Sequence, residues 1–293
     1  MSYRRRIYFT SQPLRMHKVS VRSFATGGPV MQFEGEIATI QRRLAQCRDM
    51  VTRRSTVLAR VNLQPGETVL EIGCGGGFYA REAGISVGRA GSVAAVDISA
   101  EQIAEASSHC AGLRHVECRV ADVVALPYQD NSFDAAYGVQ VLEYISAADD
   151  ALREVCRVLR PVGRFVYLAT NWDSVAWCPN EPDILARIER TWAGMLQHPN
   201  FPAGLPARLR QAGFRTLRQT PVTILNTTFD ENTFSYWLVQ MVTAHAVGRN
   251  VLSLEDADSL IADLSALSEA GRYFYSATPV ITEAVRAGVG HQG

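Results

Sequence analysis

The sequence predicts an α/β chain: a doubly wound, mostly parallel sheet of seven strands with a helical cap. Three observations predict it. From Thr68 to Ala169, short apolar runs alternate with stretches of helical periodicity. One apolar run ends in a turn of closely spaced glycines at 73–77. Two later strands each end at a carboxylate, Asp97 after an apolar run and Asp122 after the next strand. Strands separated by helices pair in parallel through right-handed crossovers, which coat both faces of the sheet.

Ile37, Ile40, Leu44, Cys47 and Val51 recur at three- and four-residue spacing, and Val57, Leu58 and Val61 continue the stripe. One amphipathic helix is therefore expected ahead of the sheet, ended by Gln64-Pro65-Gly66. Strands are read at 68–72, 92–97, 114–120, 133–138 and 163–169, with helices near 77–86, 99–110 and 147–159. After Ala169 the rhythm changes: Trp172, Trp177 and Trp192 stand among prolines, with a helix near 181–197. Leu205–Ala212 reads as a helix capped by Gly213, and 215–223 as a strand. A mostly helical insert at 230–270 precedes a final β-like run at 272–285. The expected organisation is a basic arm at 1–33 and one domain over 34–293, its core at 63–224 plus the final strand.

Lys+Arg and Asp+Glu are both 29 in 293 residues, so no global field draws a polyanion, which argues against nucleic acid as a partner. The charge is uneven: Arg4, Arg5, Arg6, Arg15, Lys18 and Arg22 lie in 1–33 without a single acid. A solvated arm fits this, and so does a mitochondrial targeting segment, Arg- and Ser-rich and poor in acids. Arg22-Ser23-Phe24-Ala25 looks like a processing site, whereas Pro13 interrupts any long amphipathic helix. Without an apolar run of 18 residues, no membrane span is expected. The six cysteines (47, 74, 110, 118, 156 and 178) form no C-x-x-C pair and fall mostly in predicted elements, where a free thiol behaves as a small buried hydrophobe. A reducing compartment is expected, the cytoplasm, with the mitochondrial matrix as the alternative; no metal site is expected.

Val69-Leu70-Glu71-Ile72 leads into Gly73-Cys74-Gly75-Gly76-Gly77, which opens a helix. Open α/β sheets bind nucleotides at such a turn, and glycine lets the backbone approach the ligand. A dinucleotide turn has the form G-x-G-x-x-G, and counting from Gly73 and Gly75 its third position is Phe78. The chain instead has Glu-x-Gly-x-Gly-x-Gly, from Glu71 through Gly77. Asp97 follows 26 residues after Glu71, and a carboxylate accepts hydrogen bonds from two ribose hydroxyls. Dinucleotide sites place an acid there too, so Asp97 points to a ribose rather than to one cofactor. A helix N-cap is its other reading, although Ser99 serves that role better. Asp122 ends the next strand 25 residues further on, ahead of Leu126-Pro127-Tyr128 and Asn131-Ser132-Phe133-Asp134.

In these motifs the chain resembles the class I S-adenosylmethionine-dependent methyltransferases, a Rossmann-like family. The likeness continues through Gln140-Val141-Leu142-Glu143-Tyr144 and the run from Leu152 to Pro161, and is strongest over 34–170. The family's Pro-Gly-Gly turn stands here as Pro161-Val162-Gly163. Trp172-Asp173, Leu205–Phe214 and Arg272–Tyr275 look like the group related to ubiquinone and menaquinone C-methyltransferases. The resemblance implies S-adenosyl-L-methionine as cofactor and carries over a binding set. In it Gly73, Cys74, Gly75 and Gly77 pack against the methionine part, and Glu71 organises the ligand's amino end. Asp97 takes the ribose, Asp122 accepts from the adenine amino group, and Ile98, Ala121, Val123, Val139 and Gln140 complete the set.

The implied reaction is methyl transfer to a small hydrophobic or aromatic molecule, its acceptor atom undetermined. Alignment is then the main task, and a general base is needed only where the acceptor loses a proton. No such base is singled out; His198 and His245, in the C-terminal third, are the candidates to face the substrate. Substrate walls are expected from Phe33, the 171–204 region and Phe234, Tyr236 and Trp237 of the insert, although these aromatics serve equally well as core. Rival readings stay open. A nicotinamide oxidoreductase shares the sheet, with Phe78 and the Asp122 block against it, and a cofactor-binding chain without methyl transfer keeps every motif. Aminopropyl transfer lacks its paired acids after strand four. Gly138-Val139-Gln140-Val141 stands where a nucleic-acid methyltransferase usually shows Asn-Pro-Pro-Tyr. A homodimer is left open.

Overall fold

The computed structural model describes residues 35–177 and 196–288, with single positions 186, 192 and 194 between them. The basic arm at 1–33, Phe33 included, and most of the helix expected at 181–197 lie outside the described residues.

Two helices rather than one precede the sheet, α1 (Gly35–Gln46) and α2 (Arg48–Val61). Cys47 separates them by taking an extended backbone, φ −65° and ψ 156°, while its side chain stays buried. The apolar spacing therefore survives the break, and periodicity alone cannot reveal it. Strands β1 (Thr68–Ile72), β2 (Ser92–Asp97), β3 (Val116–Val120), β4 (Phe133–Val139) and β5 (Leu159–Trp177) pair in parallel in the order β3-β2-β1-β4-β5. β8 (Tyr275–Arg286) lies antiparallel between β5 and β6 (Phe214–Pro221). β6 matches the strand expected at 215–223, and the short β7 (Ile224–Asn226), which was not expected, also pairs with β8, so the described sheet has eight strands.

Helices α3 (Phe78–Val87), α4 (Ala100–His109), α5 (Ala148–Val158) and α6 (Phe201–Gln211) cover the sheet. The two-residue period of a strand sorts its side chains between them. Leu70, Ile72, Ala94 and Val96 pack with Leu152 and Val155 of α5 and Leu205 and Leu209 of α6. Val69, Val93 and Ala95 pack with Val57 of α2, Ala80 of α3 and Ile103 and Ala106 of α4. Burial on both faces is why these strands read as unbroken apolar runs. Each fully buried Val or Leu contributes about 1.5–3 kcal/mol, so the central strands hold the domain together.

The cap is a separate cluster built from α1, α7 (Phe234–Gly248) and α8 (Leu254–Glu269). Leu238, Met241 and Val242 of α7 are buried against Ile37 and Leu44 of α1, and Leu260 and Leu264 of α8 belong to the same cluster. β5 runs well past the expected end at 169, because a register shift between Asn171 and Ala176 lets it bulge and pair again with β8. Within the bulge Ser174 Oγ accepts from Thr278 N at 2.9 Å. Crossovers wind one way from β1 and the other way from β4, so a crevice opens at their C-terminal ends.

Candidate functional site

The glycine turn leaves β1 at the floor of this crevice. Gly73, Gly75 and Gly77 have φ of 63°, 49° and 77°, a region that L side chains avoid. A Cβ on Gly73 would stand 2.2 Å from Val141 Cγ2, and one on Gly77 would stand 2.8 Å from Ala106 Cα in α4. Two of the glycines are thus set by the protein packing on itself, a reason different from the expected approach to a ligand. Only at Gly75 is the Cβ direction free of a close contact, its nearest atom being Gln102 Oε1 at 3.6 Å. Cys74 is buried, and its N–H donates to Val96 O at 2.9 Å, which ties the turn to β2.

Asp97 closes β2 beside the turn. Its Oδ2 accepts from Gly75 N at 2.9 Å and its Oδ1 from Ser99 N at 3.0 Å. Ser99 is the N-cap of α4, accepting from Gln102 N, so the capping role does not fall to Asp97. Two backbone amides thereby orient this carboxylate, and each oxygen keeps a lone pair for a further donor. Asp122 is exposed, with Oδ1 accepting from Val124 N at 3.0 Å; the neighbouring Ala121 N–H donates to Asp97 O at 3.0 Å. Ile98 is 72% exposed, whereas Val123 is buried. Glu71 is buried and accepts from Tyr137 Oη at 3.0 Å. Burial pushes its carboxyl well above the ordinary carboxylate range, against the pull of that hydrogen bond.

A solvent-open cleft runs from the turn to the cap. Glu71, Gly73, Cys74, Gly75, Val139 and Gln140 line its sheet end. Met50, Trp172, Trp192, Phe234, Leu238 and Met241 line its apolar end. Trp172 is delivered by the β5 bulge and packs edge-on to Trp192 at 5.2 Å. Of the twelve residues expected to bind the cofactor, the structure brings those six together in the cleft. Gly77 backs onto α4, and Asp97, Ile98, Ala121, Asp122 and Val123 lie outside the cleft lining, by the ends of β2 and β3. Of the expected aromatic walls, Tyr236 and Trp237 do not border the cleft: they pack on each other at 5.0 Å, within or against the cap core.

Neither His198 nor His245 borders the cleft, and burial lowers the pKa of both, so the structure does not bring them to a substrate. Sequence reasoning missed the contribution of α1 and α2. Gln41 accepts from Gln102 Nε2 at 3.2 Å and Arg42 pairs with Glu105 at 2.9 Å, so α1 is laid over the glycine turn by α4. Arg53 and Arg54 of α2 also reach the cleft. Arg54 pairs with Glu82 at 2.5 Å and lies 5.6 Å and 5.8 Å from the Phe78 and Tyr79 ring centroids. The adjacent arginines inside an otherwise amphipathic helix were the only local signal of this. Glu143, just beyond β4, is fully buried; it accepts from Tyr167 Oη at 2.5 Å and burial lifts its pKa to about 7.

Among the described residues no helix is long and apolar enough to cross a membrane, and no three potential metal ligands cluster. Residues 70–167 match the methyltransferase domain family. Over 181 residues the chain is 31% identical to an O-methyltransferase from Aspergillus nomiae, covering 59% of this chain and 76% of that one. Over 118 residues it is 30% identical to a demethylmenaquinone methyltransferase from Desulfitobacterium hafniense, covering 39% and 47%. It spans only 35% and 65% of the length of relatives from Streptomyces fradiae and Aspergillus sclerotiorum. Among solved structures, the fold is shared with the [4+2]-cyclase SpnF (TM-score 0.56, 23% identity, 81% of each chain). It is also shared with a Haemonchus contortus N-methyltransferase in complex with phosphomonomethylethanolamine and S-adenosylhomocysteine (TM-score 0.58, 17% identity, 92% of this chain and 60% of that one). The chain, with its crossed α/β sheet and Glu-x-Gly-x-Gly-x-Gly turn, belongs to the class I S-adenosylmethionine-dependent methyltransferase family.

Proposed function

We propose that this chain transfers a methyl group from S-adenosylmethionine to a small, apolar or aromatic molecule held beneath the helical cap. The observation that carries the reading is one continuous cleft joining the glycine turn of β1 to an aromatic wall. When bound, the cofactor supplies a methyl group already activated on a sulfonium. What the protein adds is alignment and exclusion of water, and alignment alone is worth on the order of 7–11 kcal/mol at best.

The residues present fit that ligand. The turn at 73–76 floors the site, and the open Cβ direction at Gly75 leaves room for a methionine chain. Glu71, desolvated and acceptor-rich when ionised, suits an ammonium group, and binding one would draw its carboxyl back toward the ionised form. Asp97, with both oxygens already pinned by amides, suits a ribose diol. Asp122, Ala121 and Val123 suit an adenine edge, and the exposed Ile98 offers the apolar surface on which a base rests. At the other end Trp172, Phe234, Leu238 and Met241 favour a hydrophobic, planar acceptor. Val139 and Gln140 complete the sheet end. The free thiols among the described residues agree with a reducing compartment, the cytoplasm, and the balanced charge with a small-molecule rather than a nucleic-acid partner.

Titration calorimetry tests the binding half: S-adenosylmethionine and S-adenosylhomocysteine are expected at one site, with no heat from NADH. A labelled-methyl screen over phenols, quinone precursors and other small aromatics tests the transfer half. Because no histidine lines the described cleft and Glu71 is engaged by Tyr137, a chain that binds the cofactor without transfer is the second reading. Binding without labelled product across acceptors that need no base would favour it.

A further inference from the structure

Three guanidinium groups border the cleft, and two of them are neutralised within the protein. Arg42 pairs with Glu105 and Arg54 with Glu82. Arg53 differs. Its Nη1 donates to a neutral acceptor, Gln140 Oε1, at 2.5 Å, its Nε is buried without a partner, and among the described residues it forms no ion pair. The buried carboxyl Glu143 lies within its field but makes no ion pair with it, and burial lifts the Glu143 pKa to about 7, so it is only partly ionised near neutral pH.

Its position is built rather than incidental. Gln140 has a left-handed backbone, φ 54°, and its N–H donates to Leu168 O at 2.9 Å. Its Nε2 donates to Thr170 Oγ1 at 3.1 Å, and Thr170 is itself buried. With the amide nitrogen committed to Thr170, the amide oxygen must face Arg53. The line Thr170–Gln140–Arg53 therefore fixes a cation by the ends of β4 and β5, on the wall of the cleft. A half-buried cation held in place without an anion, on the wall of a ligand cleft, is satisfied best by an anion that the ligand brings.

We propose that Arg53, oriented by Gln140, is the carboxylate-binding group of this cleft. A carboxylate fits the planar guanidinium fork through paired hydrogen bonds. Its single charge also matches the one cation left unneutralised, which a phosphate dianion would exceed. Two sources present this chemistry: the aminocarboxylate end of the cofactor, which rests on the function proposed above, and a carboxylate on the methyl acceptor.

The test uses the full chain and its R53Q and R53K variants, each checked for cooperative thermal unfolding. The probes are S-adenosylhomocysteine, 5′-methylthioadenosine, which lacks the aminocarboxylate, and benzoate against benzamide. If the cofactor is the source, R53Q weakens S-adenosylhomocysteine 10- to 100-fold and leaves 5′-methylthioadenosine within 2-fold. R53K then falls between, because it keeps the charge but not the fork. If the acceptor is the source, S-adenosylhomocysteine is unchanged and R53Q abolishes benzoate binding while sparing benzamide. Equal affinities of wild type and R53Q for both S-adenosylhomocysteine and benzoate overturn the assignment, and should R53Q fail to fold, the same equality in R53K does so. Wild-type protein that binds neither adenosyl ligand refutes the proposed function instead, and the benzoate arm still decides the role of Arg53.

Discussion

Glu143→Gln separates the charge of a buried carboxyl from its shape. Tyr167 Oη accepts from Val141 N at 2.8 Å and Leu142 N at 2.6 Å, so its only hydrogen goes to Glu143 Oε2. That one bond does not offset the desolvation of a fully buried carboxylate whose other oxygen has no partner, and the pKa rises from 4.5 to about 7. Between those values the folded chain holds a proton that the unfolded chain has released. Wild-type stability therefore falls as pH rises through this window, by about 1.4 kcal/mol per unit and about 3 kcal/mol in all. A glutamine amide accepts the Tyr167 hydrogen equally well and never ionises. The variant is expected near or slightly below wild type at pH 4.5 and about 3 kcal/mol better relative to it at pH 8. Glu71 gives a slope of the same sign in both proteins, so the difference between the two curves isolates Glu143. Urea titrations followed by tryptophan fluorescence, at half-unit steps from pH 4.5 to 8.5 and with equal m values, measure that difference. Two curves that stay parallel to within about 0.5 kcal/mol would refute the desolvation argument.

Asp97→Ala is expected to weaken S-adenosylhomocysteine binding by about 1–3 kcal/mol, the loss of hydrogen bonds to a charged group, and calorimetry giving an unchanged affinity would remove its ribose role. Gly77→Ala should destabilise by about 2–4 kcal/mol, since it adds an overpacking cost against Ala106 to the left-handed backbone cost. Gly66→Ala, at φ 89° with nothing within 4 Å, should lose only the backbone share of about 1–2 kcal/mol, so equal melting shifts for the two would discount the packing contact. Ser253→Ala removes the capping box that starts α8, in which Asp256 N donates to Ser253 Oγ at 3.0 Å, and should cost about 0.5–2 kcal/mol in a denaturation titration while cofactor affinity holds.

The central sheet was legible because β1, β2 and β4 are buried on both faces and bounded by turns, which leaves an unmistakable apolar run such as Val93-Ala94-Ala95-Val96. What was misread shares one cause: local pattern does not register a change of direction that preserves burial. Cys47 breaks the first helix yet stays inside, so the stripe from Ile37 to Val61 looks continuous. Asn171-Trp172-Asp173 looks like the end of a strand, although the bulge carries β5 on to Trp177 through pairing with a segment a hundred residues away. The strand read at 215–223 stands as β6, whereas the three-residue β7 beyond it went unread because its pairing with β8 is set by residues some fifty positions away.

The candidate site divides along the same line. Everything recognisable in it, from Glu71 to Asp122, sits on a turn or strand end whose chemistry is local, and a single strand–turn–strand grammar places it. The other half of the cleft has no such grammar. Met50, Trp172, Trp192 and Phe234 come from four distant stretches, and what brings them together is the burial of the cap. Asp49 illustrates the difference. Read alone it is an acid in the first turn of α2, favourable to the helix dipole. In the fold its Oδ2 accepts from Asn226 Nδ2 at 2.6 Å and from Phe234 N at 2.8 Å, and so joins α2 to the start of α7. Four residues along the same helix stands Arg53, whose partner Gln140 lies on the sheet. One face of α2 thus sets the cap against the sheet and carries the unneutralised cation between them, so acceptor preference should follow changes in α2 and the cap while adenosyl recognition follows the strand ends.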